Sequence, residues 1–79
     1  MEPHVRSTLE DLLVRLHLIR DDEPAAATLH DEVSDSLEHG PKHGLVERIN
    51  EAAVELETGH PALAAVLRKA VDVLSAAGA

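Results

Sequence analysis

Apolar side chains recur every three or four residues along most of the chain, most regularly in its C-terminal half. One row before the segment 58–61 consists of Leu45, Ile49, Ala52 and Leu56. A second row after that segment consists of Leu63, Leu67, Ala70, Leu74 and Ala77. Because this spacing keeps side chains on one face of a helix, the sequence predicts helices over 45–58 and 61–77. We expect the two helices to form a hairpin on which everything N-terminal packs.

The turn of this hairpin is predicted at Gly59, His60 and Pro61. Gly59 is expected to supply the positive φ of a left-handed helix cap, and Pro61 suits the first position of the following helix. His60 has a structural interpretation, in which its imidazole caps that helix or bonds a free carbonyl group. It also has a chemical one, as a proton-transfer or phosphate-accepting residue. The structural interpretation is favoured because no Ser, Cys or second acid is fixed near it in the sequence.

The N-terminal half predicts two further helices, over 4–20 and 24–38. Their inner rows are Val5, Leu9, Leu12, Leu16 and Ile19, and then Ala26, Leu29, Val33 and Leu37. The first helix has two possible starts, one at Pro3 and one at Ser7 with Glu10 reaching back as a capping box. The acidic run 21–23 lacks the spacing of a calcium loop and is expected to cap the second helix.

These four segments predict an all-α fold, a small antiparallel bundle of four helices with short connections, in a single domain spanning 1–79. Gly40 and Pro41 end the second helix, since Gly favours a left-handed cap and Pro prevents continuation. That helix contains the poor helix formers Ser34, Asp35 and Ser36 and is expected to fray most. In the alternative architecture it is fused or lost, which leaves three helices.

Two apolar side chains of the first helix lie outside its inner row. At about 100° per residue, Val14 and Leu18 fall nearly opposite that row, where the surface helix of a monomer is normally polar. One interpretation is that they are scattered exposed aliphatic residues, which are common on protein surfaces. The other is that this face meets another subunit.

Composition favours the second interpretation. The chain has 79 residues, with no Phe, Tyr or Trp and no Cys. A chain this short buries only about 60% of its unfolded surface. Neither aromatic burial nor a disulfide can add stability, and self-association remains a common way to bury more surface. We therefore expect a homodimer or another protein partner through Val14 and Leu18.

Charge limits the remaining classes of partner. The formal net charge is −8, and residues 1–40 hold ten of the fifteen acidic residues. This balance argues against binding to nucleic acid and to anionic membrane surfaces, both of which need a basic face. No apolar run approaches the length of about 18 residues that spans a bilayer, and no signal pattern is present, so a cytoplasmic location is expected. A weaker possibility is that the acidic half docks on a basic partner.

Histidine is the one candidate for site chemistry, with six residues in the chain. Glu38, His39 and His43 lie in and beside a glycine- and proline-rich loop, and a divalent-metal or pH-responsive function of this loop is the alternative to self-association. The signal is weak because Gly40 and Pro41 interrupt the helical spacing of the two histidines. His17 and His30 are interpreted as ordinary boundary residues. Familiar enzyme motifs are absent, so neither a catalytic residue nor a cofactor is expected.

A resemblance supports the fold prediction. The C-terminal half carries the pattern Glu57-x-x-His60-Pro61-x-Leu63-x-x-x-Leu67-Arg68-x-x-x-Asp72-x-Leu74-x-x-x-Gly78. It is preceded by Leu45-x-Glu47-Arg48-Ile49-x-Glu51-Ala52, and the N-terminal part contains Leu9-x-x-Leu12-Leu13-x-x-Leu16-His17. Together these segments resemble a short bacterial family, domain of unknown function 4404. The resemblance implies a small all-helical cytoplasmic protein and transfers no catalytic residue.

Overall fold

The computed structural model describes residues 1–78 and contains four α-helices in that part of the chain. They are α1 (Pro3–Ile19), α2 (Pro24–His39), α3 (Leu45–Leu56) and α4 (Pro61–Ala76). The all-α prediction is confirmed, and every helix starts within one residue of its predicted position. The largest difference in length is at α3, which ends two residues before the predicted boundary. The three-helix alternative is wrong, because α2 is a separate and continuous helix.

Proline opens three of the four helices. Pro3, Pro24 and Pro61 each occupy the first turn, where a missing N–H costs no helical hydrogen bond. Ahead of α1, the Glu2 carboxylate accepts hydrogen bonds from the backbone N–H groups of His4 at 2.8 Å and Val5 at 3.1 Å. The helix therefore starts at Pro3, and the alternative start at Ser7 is wrong.

Two of the connections need glycine. Gly40 has φ +90° and its N–H donates to the carbonyl of Ser36 at 2.8 Å, which ends α2. Gly44 has φ +92° and precedes α3. The positive φ predicted for Gly59 is wrong, since positive φ among residues 1–78 is confined to other glycines. In the turn that contains Gly59, the N–H of His60 donates to the carbonyl of Leu56 at 2.7 Å, so this turn closes without a residue in the left-handed conformation.

The four inner rows meet in one aliphatic core. Its fully buried larger side chains are Leu9, Leu12, Leu16, Val33, Ile49, Leu56, Leu67 and Leu74. Three predicted row members, Ile19, Leu37 and Leu63, are only partly buried, and Ala77 is exposed, because each lies near the end of a helix. Ala53, Ala64 and Ser36 are buried although the apolar pattern did not include them.

Each helix packs mainly against its two neighbours in the ring α1–α2–α3–α4. The α3–α4 hairpin has the most extensive packing, followed by α1–α2, while α2 on α3 and α1 on α4 join the two pairs. The N-terminal pair therefore packs on the C-terminal hairpin, as expected from the sequence. No helix within residues 1–78 combines the length and apolar character needed to cross a membrane.

Candidate functional site

The outer face of α1 carries the two largest exposed aliphatic side chains of that helix. Val14 is 64% exposed and Leu18 is 77% exposed. Both point away from the buried row that contains Leu12 and Leu16, as the helical spacing predicts. Neither side chain contributes to the core of its own chain.

Leu18 lies between two shallow clefts. One lies between α1 and α2, has a volume of about 240 Å³, and presents only apolar surface; Leu13, Val14, His17, Leu18 and His30 line it. We call it the α1 groove. The other lies at the start of α4, where Leu18 and Ile19 approach Pro61, Ala62 and Leu63, and the polar side chains of Arg15 and His60 also line it. The exposed leucine is thus the centre of an apolar patch to which α1 and α4 both contribute, with His30 of α2 at its edge.

Two histidines meet at the wall of the α1 groove. The ring centroids of His17 and His30 lie 5.5 Å apart, and the ring planes make an angle of 40°. The side chain of His30 is only 15% exposed, and its Nδ1 has no hydrogen-bond partner among the described residues. The nearest charged atom to Nδ1 is Oδ1 of Asp31 at 3.7 Å. Two residues interpreted from the sequence as ordinary boundary positions are therefore in contact with each other.

The histidines of the loop after α2 are placed differently from the sequence-based hypothesis. Nδ1 of His39 donates to Oδ1 of Asp35 at 3.0 Å, and Lys42 pairs with the other oxygen of the same carboxylate. The hydrogen bond from Lys42, reinforced by His39, lowers the pKa of Asp35. Glu38 and His43 are exposed, and His43 lines a separate cleft beside the start of α3.

Glu38, His39 and His43 are therefore not brought together. Across residues 1–78, the structure contains no group of three His, Asp or Glu side chains arranged to hold a metal ion. The cleft beside α3 has a volume of about 300 Å³, and its charged groups bind one another, with Arg48 paired to Glu32 across α2 and α3.

His60 lies in the turn between α3 and α4, and its side chain does not form the predicted cap of α4. Its Nε2 lies 3.3 Å from Oε1 of Glu23, the residue that precedes α2. This contact joins the α1–α2 connection to the α3–α4 connection at one end of the bundle. The predicted capping of α2 by the acidic run is not formed by Glu23, whose carboxylate makes no bond to the helix and lies beside His60 instead.

Charge is distributed unevenly over the four helices. α2 and α3 together carry seven carboxylates and one Arg, whereas α1 and α4 carry three carboxylates and four Arg or Lys residues. We call the first pair the acidic side and the second the neutral side. Their formal charges are −6 and +1 when His is neutral. The apolar patch around Leu18 lies mainly on the neutral side.

A comparison with protein families gives one match. The family model described as domain of unknown function (DUF4404) matches residues 4–79, nearly the whole chain. No curated protein and no solved structure matches the sequence significantly. The match covers α2, α3 and α4, and all of α1 except Pro3.

Proposed function

The chain belongs to the DUF4404 family, whose description assigns no activity, and we propose that it is a non-enzymatic protein that forms a homodimer through the outer face of α1. The observation that carries this proposal is Leu18, which is 77% exposed at the centre of the apolar patch. An aliphatic side chain in this position gains about 1.5–3 kcal/mol when it is transferred from water to an apolar contact.

The patch must extend beyond one leucine. A specific interface buries roughly 800 Å² on each partner, and the whole chain has an accessible surface of 4753 Å². An interface of ordinary size would thus cover about a sixth of the molecule. The α1 groove and the cleft at the start of α4 adjoin each other at Leu18, and together they supply a surface that spans two helices.

A second copy of the same chain is the occupant that charge favours. Two acidic sides, each at −6, would repel one another on contact, whereas two neutral sides would not. A symmetric pair would place Val14 and Leu18 of one protomer against the same residues of its partner.

The non-enzymatic part of the proposal is supported by how the fold uses its charged side chains. In the cleft beside α3, Arg48 pairs with Glu32 and Lys42 pairs with Asp35. At the opposite end of the bundle, His60 pairs with Glu23. A catalytic acid, base or nucleophile must be free to exchange protons or bonds with a substrate. These charged groups pair with one another: Arg48 with Glu32 links two helices, Lys42 with Asp35 links a helix to the loop that follows it, and His60 with Glu23 links two connections.

The experiment compares two single substitutions to Glu. Leu18→Glu places a carboxylate at the centre of the proposed interface, and Val54→Glu places one at a comparably exposed position, 60% exposed on α3. Because a buried unpaired carboxylate costs several kcal/mol, we expect Leu18→Glu to raise the dimer dissociation constant at least about tenfold. Val54→Glu should leave it unchanged. Sedimentation equilibrium at several concentrations gives both constants.

Both exchanges are at exposed sites, so the thermal unfolding of the monomers should change by no more than about 0.5 kcal/mol. Such a result would show that a change in the dimer dissociation constant is not caused by unfolding of the monomer. A wild-type chain that sediments as a monomer of 8.5 kDa at the highest concentrations would refute self-association. Equal effects of the two variants would refute the assignment of the face.

A further inference from the structure

The wall of the α1 groove contains two histidines whose rings are close together. The centroids of the His17 and His30 rings are 5.5 Å apart, and both residues line the groove beside Leu18. The groove presents only apolar surface, so the two histidines contribute carbon rather than nitrogen atoms to it. While both rings are neutral, they therefore extend the apolar surface around Leu18. Histidine is also the side chain whose charge ordinarily changes between pH 5 and 8.

We propose that protons regulate the interface: the homodimer forms while His17 and His30 are neutral, and protonation of the two rings in mild acid dissociates it. This inference rests on the proposed homodimer, to which it adds a means of control. Covering the α1 groove with a second copy removes water from the surroundings of both rings. An ion that loses hydration without gaining a partner costs free energy, so the charged rings oppose association and the neutral rings permit it.

One carboxylate faces the two rings. Among residues 1–78, Asp31 is the one acidic residue with an oxygen within 4.0 Å of a ring nitrogen of His17 or His30, and its Oδ1 lies 3.7 Å from Nδ1 of His30. The Asp31 side chain is 86% exposed, so water weakens its attraction for a charged ring. A single exposed carboxylate cannot balance two positive rings 5.5 Å apart. The doubly protonated pair is therefore repulsive even before a second copy approaches.

The other charged side chains near the patch have partners of opposite charge. These ion pairs are Arg15 with Asp11, Arg20 with Asp21, and His60 with Glu23. In the part of the chain that the structure describes, no residue of α3 lines either cleft at Leu18. His60 also gains a proton in acid, but it does so 3.3 Å from a carboxylate oxygen. The pair of His17 and His30 is therefore the part of the patch where acid adds more positive charge than nearby carboxylates balance.

The charge of the whole molecule makes the sign of the effect diagnostic. Protonation of all six histidines adds six positive charges to a formal charge of −8 and leaves −2. Two copies that carry less net charge repel one another less, so without a local effect mild acid would strengthen association. The proposed regulation predicts the opposite change. A dimer that weakens in acid therefore reports on charge at the interface and not on the net charge of the chain.

The test measures the monomer–dimer equilibrium of the full chain by sedimentation equilibrium at about pH 8 and about pH 5.5, on either side of the ordinary histidine titration, at one ionic strength. We expect acid to raise the dissociation constant of the wild type at least about fivefold. His17→Gln, an exchange of similar size at an exposed position, should abolish this rise, because the charge that remains on His30 has Asp31 beside it. His43→Gln, at an exposed histidine outside the groove, should respond as the wild type does. Circular dichroism should show the same helicity at both pH values.

The possible failures are distinguishable from one another. A dimer whose dissociation constant is unchanged or lower in acid would refute the regulation and leave the proposed homodimer intact. A chain that stays monomeric at both pH values would refute both proposals. An acid response that persists in His17→Gln, or one that accompanies a loss of helicity, would show that another group or unfolding causes it, and either result would overturn the assignment to this pair.

Discussion

The neutral side of the bundle and its acidic side differ in how they use exposed surface. On the acidic side, carboxylates are held by cations from neighbouring segments, as Glu32 is by Arg48 and Asp35 by Lys42. On the neutral side, the most exposed aliphatic side chain of α1 is Leu18, which is 77% exposed. One small domain thus combines an acidic side, which would repel the same side of a second copy, with a neutral side, which would not.

The difference is consistent with the proposed homodimer. A high net charge keeps molecules apart in every orientation except the one in which neutral surfaces meet. In the proposed homodimer, the acidic side would disfavour other pairings, and the apolar patch would supply the binding energy. Neither the acidic side nor the apolar patch requires a large core or an aromatic residue.

The sharpest way to separate core from patch uses two leucines of α1 that lie two positions apart. Leu16 is fully buried and Leu18 is 77% exposed. We expect Leu16→Ala to lower the free energy of unfolding by about 2–5 kcal/mol, because it removes buried methyl groups and leaves a cavity. Leu18→Ala should change that free energy by less than about 0.5 kcal/mol when the protein is dilute. Chemical denaturation followed by circular dichroism measures both values.

Denaturation at a concentration where the wild type is dimeric provides the control. There Leu18→Ala should also lose stability, since dissociation becomes part of unfolding. If Leu18→Ala were costly even in dilute solution, the leucine would belong to the core of its own chain, and the distinction between the two surfaces would fail.

Much of this architecture could be predicted from the sequence, because a helix repeats its pattern locally. The three- and four-residue spacing identified four helices, and it assigned Leu16 to the inside and Leu18 to the outside. Pro3, Pro24 and Pro61 marked helix starts for a reason that also lies within a few residues. Local periodicity, however, identifies only which face of each helix is buried. It does not identify which residues of a neighbouring helix that face contacts.

The contacts between helices could not be predicted in the same way. His17 and His30 meet because α1 and α2 are rotated so that the edges of their apolar rows adjoin, which neither row specifies alone. Arg48 has two carboxylates at helical spacing, yet it pairs with Glu32 of the neighbouring helix. At Gly59 the expectation failed because Leu56 ends α3 earlier than its pattern indicates, and the residues that follow turn without positive φ.

A smaller effect should distinguish the ion pairs of the two sides. Arg48 is the only Lys or Arg within the helices of the acidic side, whereas Arg15 pairs with Asp11 on the neutral side. We expect Arg48→Gln to cost about 0.5–1 kcal/mol of unfolding free energy and Arg15→Gln only a few tenths. The reason is that Arg48→Gln removes the one Lys or Arg within α2 and α3, which together carry seven carboxylates.

Salt provides the control for this pair of variants. The difference between them should disappear at about 0.5 M NaCl, where charges on the surface are screened over a few ångström. Thermal unfolding at low and high salt measures it. A difference that survives high salt would indicate lost packing of the Arg48 side chain rather than lost charge compensation.

The smallest effect concerns two carboxyl groups whose pKa is lowered for different reasons, one on each side. Backbone N–H groups, chiefly that of His4, lower the pKa of Glu2 at the start of α1. The Lys42 side chain lowers the pKa of Asp35 in α2. Both groups stabilise the fold above their unfolded pKa, and this contribution is lost as the pH falls below about 4 and through the folded pKa. Each of Glu2→Gln and Asp35→Asn should therefore reduce the loss of stability in acid.

Salt should then separate the two causes. At about 0.5 M NaCl the carboxyl pKa of Asp35, measured by NMR titration, should return towards its ordinary value, because its main partner is a mobile surface cation. The pKa of Glu2 should change less, because fixed backbone dipoles at a helix start remain in place whatever the ionic strength. Equal responses of the two groups would mean that Lys42 does not control Asp35, and that the acidic side is held by its hydrogen bonds rather than by its charges.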